Sequence, residues 1–84
     1  NPVSNIHILG IPKVKCVDFS DFISNYHKDV VANFFQKADE VIEKLGIKES
    51  GYRIISNSGV DGGQEVPHFH IHILGGEKIG AKIR

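Results

Sequence analysis

Apolar residues fall into separate stretches along this chain, and their spacing predicts the elements. In SNIHILGIP, Ser4–Pro12, they cluster between prolines and predict a short strand, with Pro12 at its edge because proline has no N–H for a ladder. From Ser24 to Leu45 the positions Val30, Val31, Phe34, Phe35, Ala38, Val41, Ile42 and Leu45 recur at one, three and four, which predicts one long amphipathic helix. Lys28, Asp29, Gln36, Lys37, Asp39, Glu40, Glu43 and Lys44 mark its wet side, and Gly46 stands where a C′ glycine belongs. Ser24 or Asn25 is placed to cap its start; Ser20 would instead cap a short preceding turn.

Seven of the nine glycines lie at or beyond Gly51, so turn chemistry is concentrated in the last third. Tyr52–Asn57 and Val66–Leu74 predict two strands, joined through SGVDGGQ with Asp61-Gly62 as its turn signal. That loop allows an antiparallel hairpin. The order strand, helix, strand, strand predicts an α+β architecture: an antiparallel sheet with one long helix packed on it, in a single domain over residues 1–84.

Length and charge narrow the functions open to this fold. A chain of 84 residues buries only about 60–65% of its unfolded surface, so support from an oligomer contact is expected. Ten basic and ten acidic residues cancel, which argues against wrapping a polynucleotide but leaves room for a mononucleotide. A single cysteine, Cys16, allows no intrachain disulfide and fits a reducing compartment. Without an activating motif it is read as a packing or surface residue. No apolar run is long enough for a membrane span and no signal peptide is visible, so the expected location is cytoplasmic. The chain starts at Asn1 rather than Met, as a processed or truncated chain would.

The chemistry is concentrated in VPHFHIHIL. On a strand, Pro67, Phe69, Ile71 and Ile73 share one face, which is wholly apolar and belongs under the helix. Val66, His68, His70, His72 and Leu74 share the other, with neighbouring imidazoles about 6.6 Å apart. Three readings compete: a solvated histidine face, a metal site, and phosphoryl chemistry. For a single zinc the outer two histidines are far apart, at roughly 13 Å along the strand. Phosphoryl chemistry suits neutral imidazole, a competent nucleophile near neutral pH, with a second histidine moving protons. Asn57 and the glycines Gly59, Gly62 and Gly63 lie just upstream, where backbone N–H groups can approach an anion.

His68-Phe69-His70-Ile71-His72-Ile73-Leu74 resembles the His-x-His-x-His-x-x signature of the histidine-triad (HIT) superfamily. The surrounding DGGQEVPHFHIHILGG, Asp61–Gly76, looks like its Hint-like branch, the purine nucleoside phosphoramidase type, as do Gly51-Tyr52-Arg53 through Asn57 and His7-Ile8-Leu9 through Pro12-Lys13. The resemblance implies a fold and a set of roles. His70 would attack the α-phosphorus and carry a nucleotidyl-histidine intermediate. His72 would contact the phosphate and leaving group, while His68 and His7 would order the imidazole hydrogen bonds. Asn57, Gly63, Gln64 and the backbone of Val66 would line the phosphate, with His70 and His72.

The implied activity is hydrolysis of the P–N bond in purine nucleoside 5′-phosphoramidates, that is AMP conjugates, without obligatory metal or other cofactor. The implied partners are a purine nucleotide and a second copy in a homodimer, with no polynucleotide and no membrane. A nucleotide-binding scaffold with little catalysis, or a dinucleoside polyphosphate hydrolase of the same superfamily, are the alternatives; Val66-Pro67 is shared with the latter, Leu74-Gly75-Gly76 less so. A uridylyltransferase-like member would carry glutamine at position 72. Glu65 stands where some Hint-like proteins have serine, so its side chain is given no phosphate contact. Family members usually begin with a further helix and hairpin that supply most of the nucleobase pocket, so an N-terminal truncation relative to the family is expected. His27 is read as structural or solvated.

Overall fold

The computed structural model describes residues 6–76. Three strands, β1 (Ile6–Gly10), β2 (Tyr52–Ile55) and β3 (Ile71–Gly75), form one sheet in the order β1-β3-β2, antiparallel throughout. Register is fixed by Ile8↔Ile73↔Ile54 and by Leu9↔His72↔Ile55. Because facing residues in a ladder share a side, Ile8 and Ile73 point toward the helices, whereas His7 and His72 point away. The expected α+β class and the helix-covered antiparallel sheet are therefore present. Ser4 and Asn5 of the predicted first strand lie outside the described residues.

The long helix expected over Ser24–Leu45 is corrected: α2 (Lys28–Lys44) starts later, and a short helix α1 (Phe19–Asn25), not predicted, precedes it. Tyr26 breaks the run with extended backbone, φ −128° and ψ 151°. Its hydroxyl donates to the Lys15 carbonyl and its ring lies 6.1 Å from that of Phe22, so tertiary contacts hold it out of helical geometry. The caps move accordingly. Asp18, rather than Ser20, caps α1 by accepting from the Asp21 N–H at 2.9 Å, and the Asp21 carboxylate accepts from Val17 N–H at 2.7 Å. His27, rather than Ser24 or Asn25, caps α2 through Nδ1, which accepts from Asp29 N–H at 3.0 Å. Gly46 follows α2 at φ 74°, as its C′ role requires.

The third strand is also shorter than predicted. Residues 66–70 leave the ladder because Pro67 has no N–H and the His68 N–H bonds the Val66 carbonyl at 2.8 Å. Phe69 N–H bonds Cys16 O at 2.9 Å instead of a strand neighbour. The Phe69 ring, 1% exposed, stacks on Phe22 with centroids 5.1 Å apart and planes 21° apart. Phe34 of α2 meets both rings edge-on. Around this aromatic centre lie Cys16, Ile42, Ile47, Ile71 and Ile73, all buried.

So thin a core concentrates stability in few side chains. Phe22→Ala should cost about 3–5 kcal/mol, a large part of the roughly 4–13 kcal/mol typical of a domain this size. Asp18→Ala should cost about 1 kcal/mol. Urea unfolding checks both: the midpoint should drop sharply for Phe22→Ala and slightly for Asp18→Ala, with unchanged slope in the latter.

Candidate active site

The outward face of β1 and β3 brings His7 and His72 together although they stand 65 residues apart in the chain. His7 Nε2 and His72 Nδ1 are 2.9 Å apart in a hydrogen bond. The His70 ring stands edge-on to His72, with centroids 5.0 Å apart, so three imidazoles form one cluster. His7 is exposed; His70 and His72 are half-buried.

His68 joins this cluster through its backbone. Its carbonyl lies 2.9 Å from His70 Nδ1, and a carbonyl can only accept, so His70 Nδ1 carries the proton. The neutral ring then has its lone pair on Nε2, the atom a nucleophile needs. The His68 ring itself makes no ring or hydrogen-bond contact with the other histidines among the described residues. The evenly spaced three-ring strand face is corrected on this point: regular strand geometry begins only at Ile71, and His7 takes the third place.

His72 is held below its ordinary value of 6.5 mainly by burial, with His70 and then His7 adding repulsion. It is neutral at neutral pH. In a neutral pair, one of His7 Nε2 and His72 Nδ1 donates to the other, and the choice sets the far nitrogen of His72. When His7 donates, His72 Nε2–H faces outward as a donor, the form an anion selects.

The glycine loop offers fewer free amides than expected. Gly59 N–H is occupied by Gln64 Oε1 at 2.9 Å and Gly63 N–H by Val60 O at 3.0 Å. Neither amide is available as a donor in this conformation. No hydrogen bond within the described residues engages the amides of Glu65 and Val66, which lie between the loop and the histidines. Gly62 serves shape: a Cβ there would sit 2.3 Å from Ser58 O, so no side chain fits. Ser56 hydroxyl donates to His70 O at 3.0 Å, which places Asn57, half-buried and without a hydrogen bond among the described residues, just beyond that contact. The Gln64 side chain is wholly engaged with main chain.

Residues 1–79 match the HIT domain family. The chain belongs to the HIT family. An uncharacterized HIT-like protein of Azospirillum brasilense is 45% identical over 99% of this chain and 68% of its own length. One from Rickettsia prowazekii is 41% identical over 93% and 65%. A protein of Escherichia coli K12 named purine nucleoside phosphoramidase is 39% identical over 95% of this chain and 66% of its own. Among solved structures, a histidine triad protein from Clostridium difficile superposes with a TM-score of 0.82, at 37% identity over 99% of this chain and 71% of that one. A HIT family hydrolase from Clostridium thermocellum gives 0.80 at 40% identity, over 94% and 68%. The HIT domain described here spans about two thirds of the length of the relatives it matches.

Other features of this HIT domain lie apart from the cluster. A cavity of about 520 Å³ on the helix side, between β1 and α2, is lined by Ile8, Phe34, Ala38 and Ile73 and touches none of the histidines. Cys16 is buried, with its thiol pushed up mainly by that burial, so it is a poor nucleophile. No group of three or more His, Cys, Asp or Glu among the described residues has metal-ligand geometry. None of the described helices is long and apolar enough to cross a membrane.

The depressed His72 has a signature in stability. Below pH 6.5 the unfolded chain takes up a proton that folded His72 resists, so stability falls as pH drops through that range toward the folded value. His72→Gln removes this contribution. Its melting temperature should decline less steeply than that of the wild type on acidification below pH 6.5, measured by thermal denaturation in matched buffers.

Proposed function

We propose that this HIT domain is a nucleotide-binding hydrolase cleaving the P–N bond of purine nucleoside 5′-phosphoramidates through a covalent nucleotidyl-histidine at His70. The observation that carries the reading is the His70 Nδ1–H bond to His68 O, which leaves Nε2 as a free lone pair beside two mutually bonded imidazoles. The name of the Escherichia coli relative supports the substrate class.

In the first step the Nε2 lone pair forms a bond to the α-phosphorus and the bond from phosphorus to the substrate nitrogen breaks. The departing nitrogen keeps that electron pair and takes a proton from the His7–His72 pair through His72 Nε2. Burial disfavours a charge on His72 in the free protein, and the substrate's anionic phosphate offsets that penalty, so the proton is taken up with the substrate. In the second step water attacks phosphorus, gives its proton to the same pair, and His70 leaves neutral. Each group ends as it began. In this reading the amides of Glu65 and Val66, which no bond among the described residues engages, donate to the phosphate oxygens together with Asn57.

A second copy is part of the reading. Among the described residues β2 is an edge strand, and Tyr52 and Ile54 on its helix side are 41% and 46% exposed. A homodimer that continues the sheet along this edge covers both.

His70→Ala should lower amine release from an adenosine 5′-phosphoramidate by about 10⁴-fold or more. The wild type, mixed briefly with substrate and quenched, should show a mass gain of one nucleotidyl group that the variant lacks. Undiminished turnover in His70→Ala would remove His70 as the nucleophile.

A further inference from the structure

Gln64 makes three side-chain hydrogen bonds, every one to main chain and each to a different place. Oε1 accepts from Gly59 N–H at 2.9 Å. Nε2 donates to Val17 O at 2.6 Å and to Val66 O at 3.0 Å. The residue's own N–H donates to Gly59 O at 3.0 Å, so Gly59 and Gln64 are joined twice and close the loop between them. A primary amide has two donor hydrogens on nitrogen, and both are occupied here. Two carbonyl partners on one side and an N–H on the other also fix which end of the amide is nitrogen.

These bonds reach the reacting atoms through the backbone. Val66 O accepts from Gln64 Nε2 and from His68 N–H, and two donors on one carbonyl hold that peptide in place. The His68 carbonyl in turn fixes the proton on His70 Nδ1. On the other side, Val17 O and Cys16 O receive Gln64 Nε2 and Phe69 N–H, so residues 64–69 are docked on this short segment at two points. The segment is itself held to α1 by the bond from Val17 N–H to Asp21.

We propose that Gln64 is a positioning residue: its amide latches the glycine loop to Cys16-Val17 and so holds the Glu65 and Val66 amides, and the His68 carbonyl, where the proposed reaction at His70 needs them. With both donors occupied, the side chain does not grip phosphate. This inference rests on the proposed hydrolase reading for its kinetic consequence, whereas the latch itself is testable without substrate. Nothing shorter or apolar reproduces the three bonds. Glutamate keeps the length and the acceptor for Gly59 N–H but loses both donors and sets a negative charge against two carbonyl oxygens.

The test combines residue-resolved amide hydrogen exchange by NMR on ligand-free protein with steady-state kinetics on an adenosine phosphoramidate. In Gln64→Ala, exchange at Gly59 and at the backbone amide of position 64 should accelerate tenfold or more. In Gln64→Glu, Gly59 should stay within about threefold of the wild type while Phe69, across the severed contact with Cys16-Val17, accelerates. Both variants should lose about 10²–10³-fold in kcat, the cost of misplaced transition-state donors, with KM changed less than about threefold. Unchanged exchange at Gly59 in Gln64→Ala overturns the latch. So does full kcat in Gln64→Glu, or a loss confined to KM, which would mean direct contact with substrate. If the wild type releases no amine, the hydrolase reading fails, and the exchange data still decide the latch.

Discussion

Phe69 is held at both its ends, and much of the molecule follows from that. Its N–H reaches across to the Cys16 carbonyl, and its ring stacks on Phe22 beneath α2. With that residue locked inward, its backbone is bonded to Cys16 rather than to a strand neighbour, and the regular strand begins only at Ile71. The buried ring thereby anchors the segment that leads into His70 and β3. Packing on one side of a single backbone becomes chemistry on the other.

The cluster gains its properties from hydrogen bonds that permit few proton arrangements. A carbonyl against His70 Nδ1 leaves one tautomer. A ring against His72 Nδ1 leaves two, and a bound anion favours the one with the outward donor. Burial keeps His72 neutral, which also limits charge repulsion with His7 and His70, whose rings lie 5.1 and 5.0 Å from its own. None of this uses a net charge on the protein, consistent with a chain whose acidic and basic residues cancel.

The loop before the histidines is built by polar bonds rather than by packing. Its residues are mostly exposed, and its shape comes from Gly59, Gly63 and Gln64 bonding inside it, with Gln64 tying it to Val17. Such an arrangement has little apolar burial to stabilise it, so each polar contact there carries a larger share of its order. The α1 helix is similar in kind: seven residues held by Asp18 and Asp21 at its start and by Phe22 beneath.

Local pattern alone determined a good deal. The antiparallel α+β class, the order and approximate places of the strands, the glycine after α2 and the inward Phe69, Ile71 and Ile73 all follow from periodicity and turn residues, which depend on neighbours a few positions away. The choice of His70 rested on motif, and the family match agrees with that motif. What periodicity could not show was the break at Tyr26, because α1 and α2 each carry apolar spacing that runs on through it; the break depends on a hydroxyl meeting Lys15 eleven residues earlier. The place of His7 beside His72 came from the β1–β3 register, a contact 65 residues apart. That Gln64 bonds Val17, and that two glycine amides are occupied, were likewise decided only in three dimensions. Hydrogen-bond partners distant in sequence leave no local pattern; only the folded chain chooses among the many groups each donor could meet.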